Sequence, residues 1–194
     1  MAVRVGCRIV SRPRMRVPAL LLCGVLGGAA AARADDGRFR SLLFNHDVVR
    51  RGFHLQIAFG LGGGPDNDGL FHAAEIGYTF GPGVTVAMLH TFIQNKGIIG
   101  PERGPDLLGG WMLEVKWPLL FPELEIKLAT GFGGLHDQSN GIRVIPGFGA
   151  AVGFDFHLPI FERSGPTLGF ELLFVRVAQG SFWGGGAALG YTFF

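Results

Sequence analysis

Eight antiparallel strands, rolled into a closed up-and-down transmembrane β-barrel, form the fold that the sequence predicts. Three observations carry the prediction. Eight segments of about 9–11 residues alternate residue by residue, the period-two sign of a strand. One face of each segment is bulky and apolar, while the other is mostly Gly and Ala with a few charges. Turn-forming stretches separate the segments: GGGPDNDG, GPG, NKGIIGPERGPD, PLLFPE, HDQSNGIR, PIFERSG and AQGS.

The composition agrees with this reading. The 194 residues include 33 Gly, and charged residues make up only 16%. Interior Gly disfavours helices by roughly 1 kcal/mol each relative to Ala. The Gly residues lack a three-residue period, which excludes collagen. After residue 35 no run of about 18 apolar residues occurs, so no transmembrane helix is expected.

The first 34 residues read as a secretory signal peptide. Arg4, Arg8, Arg12, Arg14 and Arg16 precede the apolar run VPALLLCGVLGGAAAA, and Ala32-Arg33-Ala34 fits a small-x-small cleavage site after Ala34. Met15 would open a more compact signal of the same kind. Six of the 17 basic residues and none of the 15 acidic ones lie in this leader. The mature chain therefore carries 11 − 15 = −4, and the basic balance of the whole sequence implies no nucleic-acid partner. Cys7 and Cys23 both leave with the leader, so neither a disulfide nor a cysteine metal site is expected.

The strands follow in order, bulky face first. Phe53, Leu55, Ile57, Phe59 and Leu61 oppose His54, Gln56, Ala58 and Gly60. Ala74, Ile76, Tyr78 and Phe80 oppose Glu75, Gly77 and Thr79. Residues 84–94 carry a weaker pattern. Trp111, Leu113, Val115 and Trp117 oppose Gly110, Met112, Glu114 and Lys116. Leu124, Ile126, Leu128 and Phe132 oppose Glu125, Lys127, Ala129, Gly131 and Gly133. Phe148, Ala150, Val152, Phe154 and Phe156 oppose Gly147, Gly149, Ala151, Gly153 and Asp155. Leu168, Phe170, Leu172 and Phe174 oppose Gly169 and Glu171. Trp183, Ala187, Leu189, Tyr191 and Phe193 oppose Gly184, Gly186, Ala188 and Gly190.

The small face decides which side is inside. A soluble sheet would turn Lys, Thr, Ser and Glu toward water. Small residues instead suit the cramped interior of an eight-stranded barrel, which side chains fill. The bulky face then meets hydrocarbon, and closure leaves no unpaired backbone edge in lipid. Tyr78, Phe80, Trp117, Phe154, Phe156, Tyr191 and Phe193 end the even-numbered strands of the barrel, which share one rim. They are the expected aromatic girdle. The expected lumen charges are Glu75, Glu114, Lys116, Glu125, Lys127, Asp155 and Glu171. Folding the chain back at PLLFPE places Glu114 opposite Lys127 and Lys116 opposite Glu125, two unlike-charge pairs.

Residues 50–194 resemble small bacterial outer-membrane barrels of the OmpA or OmpW type. The most specific element is the last strand, where Tyr191-Thr192-Phe193 closes an alternating segment and Phe194 stands one residue out of phase. The resemblance implies an outer-membrane location and contact with membrane lipid and lipopolysaccharide. It also implies recognition of the final strand by the barrel-assembly machinery. The expected organisation is a signal peptide at 1–34, a periplasmic segment at 35–51 and the barrel at 52–194. Residues 35–51 are left open between a short amphipathic element and a loose lead. A monomer with a non-enzymatic role is expected: envelope structure, surface interaction or passage of a small solute.

Candidate chemistry is sparse. His136 and Ser139 in LHDQSNG resemble, respectively, the base and the nucleophile of PagL-like lipid A deacylases, which use His-x-Ser-Asn. The extra residue here puts the two on opposite faces of a strand, so a polar loop is the favoured reading. A soluble lipocalin-like binding barrel is a third alternative. Gly62-Gly63-Gly64 precedes neither a helical pattern nor Lys-Ser/Thr, and the six histidines lack metal-site spacing, so no cofactor or metal is expected.

Overall fold

The computed structural model describes residues 38–41, 43–44, 46–65, 68–81, 83–95, 105–119, 121–137 and 143–194. The leader and its cleavage site lie outside the described residues. Two short strands, β1 (Arg38–Arg40) and β2 (Asp47–Val49), pair as a ribbon. Eight longer strands follow: β3 (Gly52–Gly63), β4 (Asp68–Thr79), β5 (Thr85–Asn95), β6 (Leu107–Pro118), β7 (Leu124–Asp137), β8 (Arg143–His157), β9 (Ser164–Val177) and β10 (Gly180–Phe193). Each pairs antiparallel with the next, and β10 returns to β3, closing the barrel.

The ladder fixes the strand tilt. Stepping from Ile57 through its successive partners passes Ala74, His90, Trp111, Phe132, Phe148 and Arg176 and reaches Ser181 on β10. Across the seam Ile57 itself pairs with Tyr191. The stagger is therefore 191 − 181 = 10 residues. Eight strands with such a stagger tilt by about 40°. Each residue then rises about 2.5 Å along the barrel axis.

Burial follows the two faces. Phe59 is 62% exposed, Ile76 53%, Leu128 45% and Leu172 59%, whereas Glu125 is fully buried and Gly149 faces inward. The side chains that a soluble barrel would bury are outside. Close packing against the backbone of the neighbouring strand favours glycine at positions of the inner face. A Cβ built on Gly60 would lie 1.9 Å from the Ala187 carbonyl oxygen, at the seam between β3 and β10.

Two expectations require correction. The β6–β7 register is offset by two residues, so Lys116 stands opposite Lys127 and Glu114 opposite Ala129, while Glu125 faces Pro118 and Asp155. The cause is the hairpin tip. Leu119 N donates to Leu124 O at 2.9 Å, and Pro122 takes the corner that its fixed φ favours, which extends β6 to Pro118. Also, β4 starts at Asp68, six residues before the segment recognised in the sequence. Its first half turns Phe71 inward and His72 outward, reversing the rule of bulky side out.

Candidate functional site in the barrel lumen

The lumen has two layers. Toward the long-loop end it is apolar: Phe71, Ile93, Leu108, Leu173 and Val175 pack with Met112 and Leu89 into one buried cluster. Toward the short-turn end it is ionic. Alternation on β4, β6, β7, β8 and β9 delivers Glu75, Glu114, Lys116, Glu125, Lys127, Asp155 and Glu171 to this layer, all of them buried.

Eight strands make so narrow a tube that side chains meet across it rather than along one hairpin. Lys116 Nζ lies 2.5 Å from Glu75 Oε2 and 2.6 Å from Asp155 Oδ2. It also donates to Gln56 Oε1 at 3.1 Å. Lys127 Nζ lies 3.1 Å from Glu171, 3.3 Å from Asp155 and 3.6 Å from Glu75. The two lysines that the register places side by side are thus separated by shared carboxylates. Thr91 donates to Glu171 at 2.7 Å, and Gln56 to Asp155 at 3.1 Å. Glu114 differs from its neighbours. It is fully buried, neither oxygen has a hydrogen-bond partner among the described residues, and Lys116 is 4.0 Å away.

A second cluster seals the short-turn end. Arg50 precedes β3 and enters the lumen, where its guanidinium donates to Glu125 Oε1 at 2.8 Å. His157 Nε2 engages the other Glu125 oxygen at 2.7 Å, and His157 Nδ1 meets Thr167 Oγ1 at 2.9 Å. Burial lowers the Arg50 pKa from its ordinary value, and the Glu125 and Glu123 carboxylates oppose that shift. Phe194 closes the cluster. Its ring lies 4.7 Å under the guanidinium and within 5.5 Å of the His54 and His157 rings. The residue that broke the alternation of the last strand does so because it turns inward.

The β1–β2 ribbon covers the same end. Ser41 Oγ donates to Glu123 at 2.7 Å, and Val49 N donates to the Glu162 carbonyl at 2.8 Å. Gly83, in the β4–β5 turn at φ +82°, lies against the Phe39 ring. The described residues between Arg38 and Arg50 therefore form a docked strap. Sequence reading missed Arg50, Phe194, His54 and His157. The one available signal was the out-of-phase terminal Phe.

The remaining site residues fall as follows. Tyr78, Phe80, Phe154 and Phe193 point outward near the short-turn rim, with Trp117, Phe156 and Tyr191 half-buried beside them. Tyr191 Oη lies 3.0 Å from Ser164 Oγ. His136, the last residue but one of β7, stands opposite Val144 on the outward face. Ser139 lies outside the described residues.

These features define a class by fold: a closed eight-stranded antiparallel barrel with an apolar exterior and an interior that is apolar toward one end and ionic toward the other. Neisserial surface protein A has a similar structure, with a TM-score of 0.53 and 13% sequence identity over 73% of this chain and 96% of that chain. At that identity the similarity is one of fold. Neither a protein-family model nor a curated protein matches the sequence.

Proposed function

We propose that this chain is exported by its N-terminal signal, cleaved after Ala34, and inserted into the outer membrane as a non-enzymatic barrel. Its membrane-facing partners are lipid and lipopolysaccharide, and the final strand is its recognition element for the barrel-assembly machinery. The carrying observation is inverted burial. Most of the bulky side chains face outward around a sheet with no free edge, an arrangement stable in hydrocarbon and unfavourable in water. The same observation disfavours a soluble binding barrel, which needs the opposite polarity.

Among non-enzymatic roles, the interior favours envelope structure or surface interaction over solute passage. An apolar layer fills one half of the lumen and a buried ionic layer the other, with Arg50 and Phe194 at the exit. Membrane fractionation tests the reading. The protein should sediment with outer membranes and change its gel migration on boiling. Recovery in the periplasmic extract, with no boiling-dependent shift, would overturn it.

A further inference from the structure

The outer wall carries a hollow where the bulky face is interrupted. On β10, Gly185 stands between Leu172 of β9 and Gly63 of β3, and Ala187 stands between Phe170 and Leu61. These two small residues floor a depression of about 480 Å³, walled by Leu61, Phe154, Phe170 and Leu172. All four walls point outward and are exposed, so the hollow opens away from the lumen. Its volume falls within the roughly 300–1,000 Å³ of small-ligand sites. Its lining side chains are apolar, apart from Glu171, which turns into the lumen.

A cation stands above it. Arg176 is the one charged side chain that β9 and β10 turn outward, since Glu171 faces the lumen. The outer row of β9 runs Leu168, Phe170, Leu172, Phe174 and then Arg176, so the apolar band ends at the guanidinium. Trp183, the ladder partner of Phe174, lies one outward step below Arg176 on β10 and is 56% exposed. Tryptophan at that height marks the membrane–water interface. Arg176 Nη1 donates to Ser181 Oγ, its ladder partner, at 2.8 Å. That contact steers the fork, leaves its other N–H groups to donate elsewhere, and leaves Ser181 a proton to donate. Leu172 precedes Arg176 by four residues. At the rise set by the strand tilt, the hollow therefore begins about 10 Å below the guanidinium.

We propose that this wall is a binding site for one lipopolysaccharide molecule, with a lipid A phosphate on Arg176 and Ser181 and one acyl chain laid into the hollow over Gly185 and Ala187. The inference rests on the membrane reading above and names the place where that partner is held. The occupant follows from charge, shape and height. A guanidinium at head-group level selects an anion, and its planar fork matches a phosphate. An apolar trough starting about 10 Å lower receives the chain that hangs from that head group. With the N-terminal strap on the periplasmic side, the long-loop end that bears Arg176 belongs to the outer leaflet, where the phosphate-bearing lipid is lipopolysaccharide.

Titration with lipid A tests the proposal. The protein is purified from outer membranes, stripped of lipid in mild detergent, and its bound lipid is counted by native mass spectrometry. The parent should take up one lipid A per chain and prefer it to phosphatidylethanolamine. Arg176→Gln should weaken binding about tenfold or more, the effect of losing a charge-assisted hydrogen bond. Ala187→Leu, which fills the floor from an outward position, should also weaken it. Two controls should bind as the parent does: Arg51→Gln, an exposed cation at the opposite end, and Ala74→Leu, on the outer face of β4. Lipid A without its phosphates should bind the parent and Arg176→Gln alike. Undiminished binding in Arg176→Gln or in Ala187→Leu, or equal uptake of phosphatidylethanolamine by the parent, would each overturn the proposal. The boiling shift is scored in the same samples. Its loss in the parent chain would refute the membrane reading, whereas a folded barrel that takes up no lipid A refutes only this inference.

Discussion

Replacing Lys116 by Met probes the lumen where its design is most exposed to test. The substitution keeps length and bulk but removes the charge that Glu75 and Asp155 approach at 2.5 and 2.6 Å. Lys127 then serves Glu75, Asp155 and Glu171 alone, at 3.6, 3.3 and 3.1 Å. Breaking a buried pair by removing one partner is worth about 3–5 kcal/mol, because the remaining charge stays buried. Lys127 and the His54 contact to Glu75 at 3.2 Å offer partial relief, so the low end applies, about 3 kcal/mol. That is roughly a hundredfold in the folding equilibrium. Urea unfolding in lipid vesicles, followed by tryptophan fluorescence, should show a lower midpoint with an unchanged slope. The double variant Lys116→Met, Asp155→Asn should recover part of the loss, since the two residues are directly coupled. A loss under about 1 kcal/mol would refute the reasoning, because it would mean that water screens the network and the interior is not sealed.

Four further outcomes are expected. Glu114→Gln should fall within about 1 kcal/mol of the parent, or stabilise it, since no hydrogen bond is lost and the five lumen carboxylates outnumber Arg50, Lys116 and Lys127; urea midpoints measure this. Phe194→Ala should cost about 3 kcal/mol by leaving a void under Arg50, and a lowered temperature for the gel-mobility shift reports it. Gly60→Ala should prevent seam closure and abolish the boiling-sensitive form. Gly180→Ala, whose added Cβ meets nothing nearer than 3.9 Å, should stay within about 0.5 kcal/mol of the parent.

The sequence revealed the fold wherever the lumen is lined by small or charged residues. On β3, β8 and the second half of β10 the two faces differ in size at nearly every step, so period two is plain. It faded where apolar side chains fill the lumen. Phe71, Leu89 and Ile93 point inward on β4 and β5, both faces become bulky there, and pattern alone cannot separate them. The membership of the ionic cluster could be read from residue type and phase, but its pairing could not. The β6–β7 register turns on where Pro122 places the hairpin tip, and a two-residue error preserves every facing while changing every partner. The Arg50–Glu125–His157–Phe194 cluster was out of reach for another reason. It joins residues from both ends of the barrel chain, and only closure brings them together.

The three tryptophans test the central claim most directly. Trp111, Trp117 and Trp183 all lie on the outward face, with Trp111 and Trp183 more than half exposed. Refolded into vesicles of lipids brominated along their acyl chains, the protein should lose most of its tryptophan fluorescence, while acrylamide in the water should quench it little. Strong acrylamide quenching with no response to bromine would put those rings in water and contradict the account.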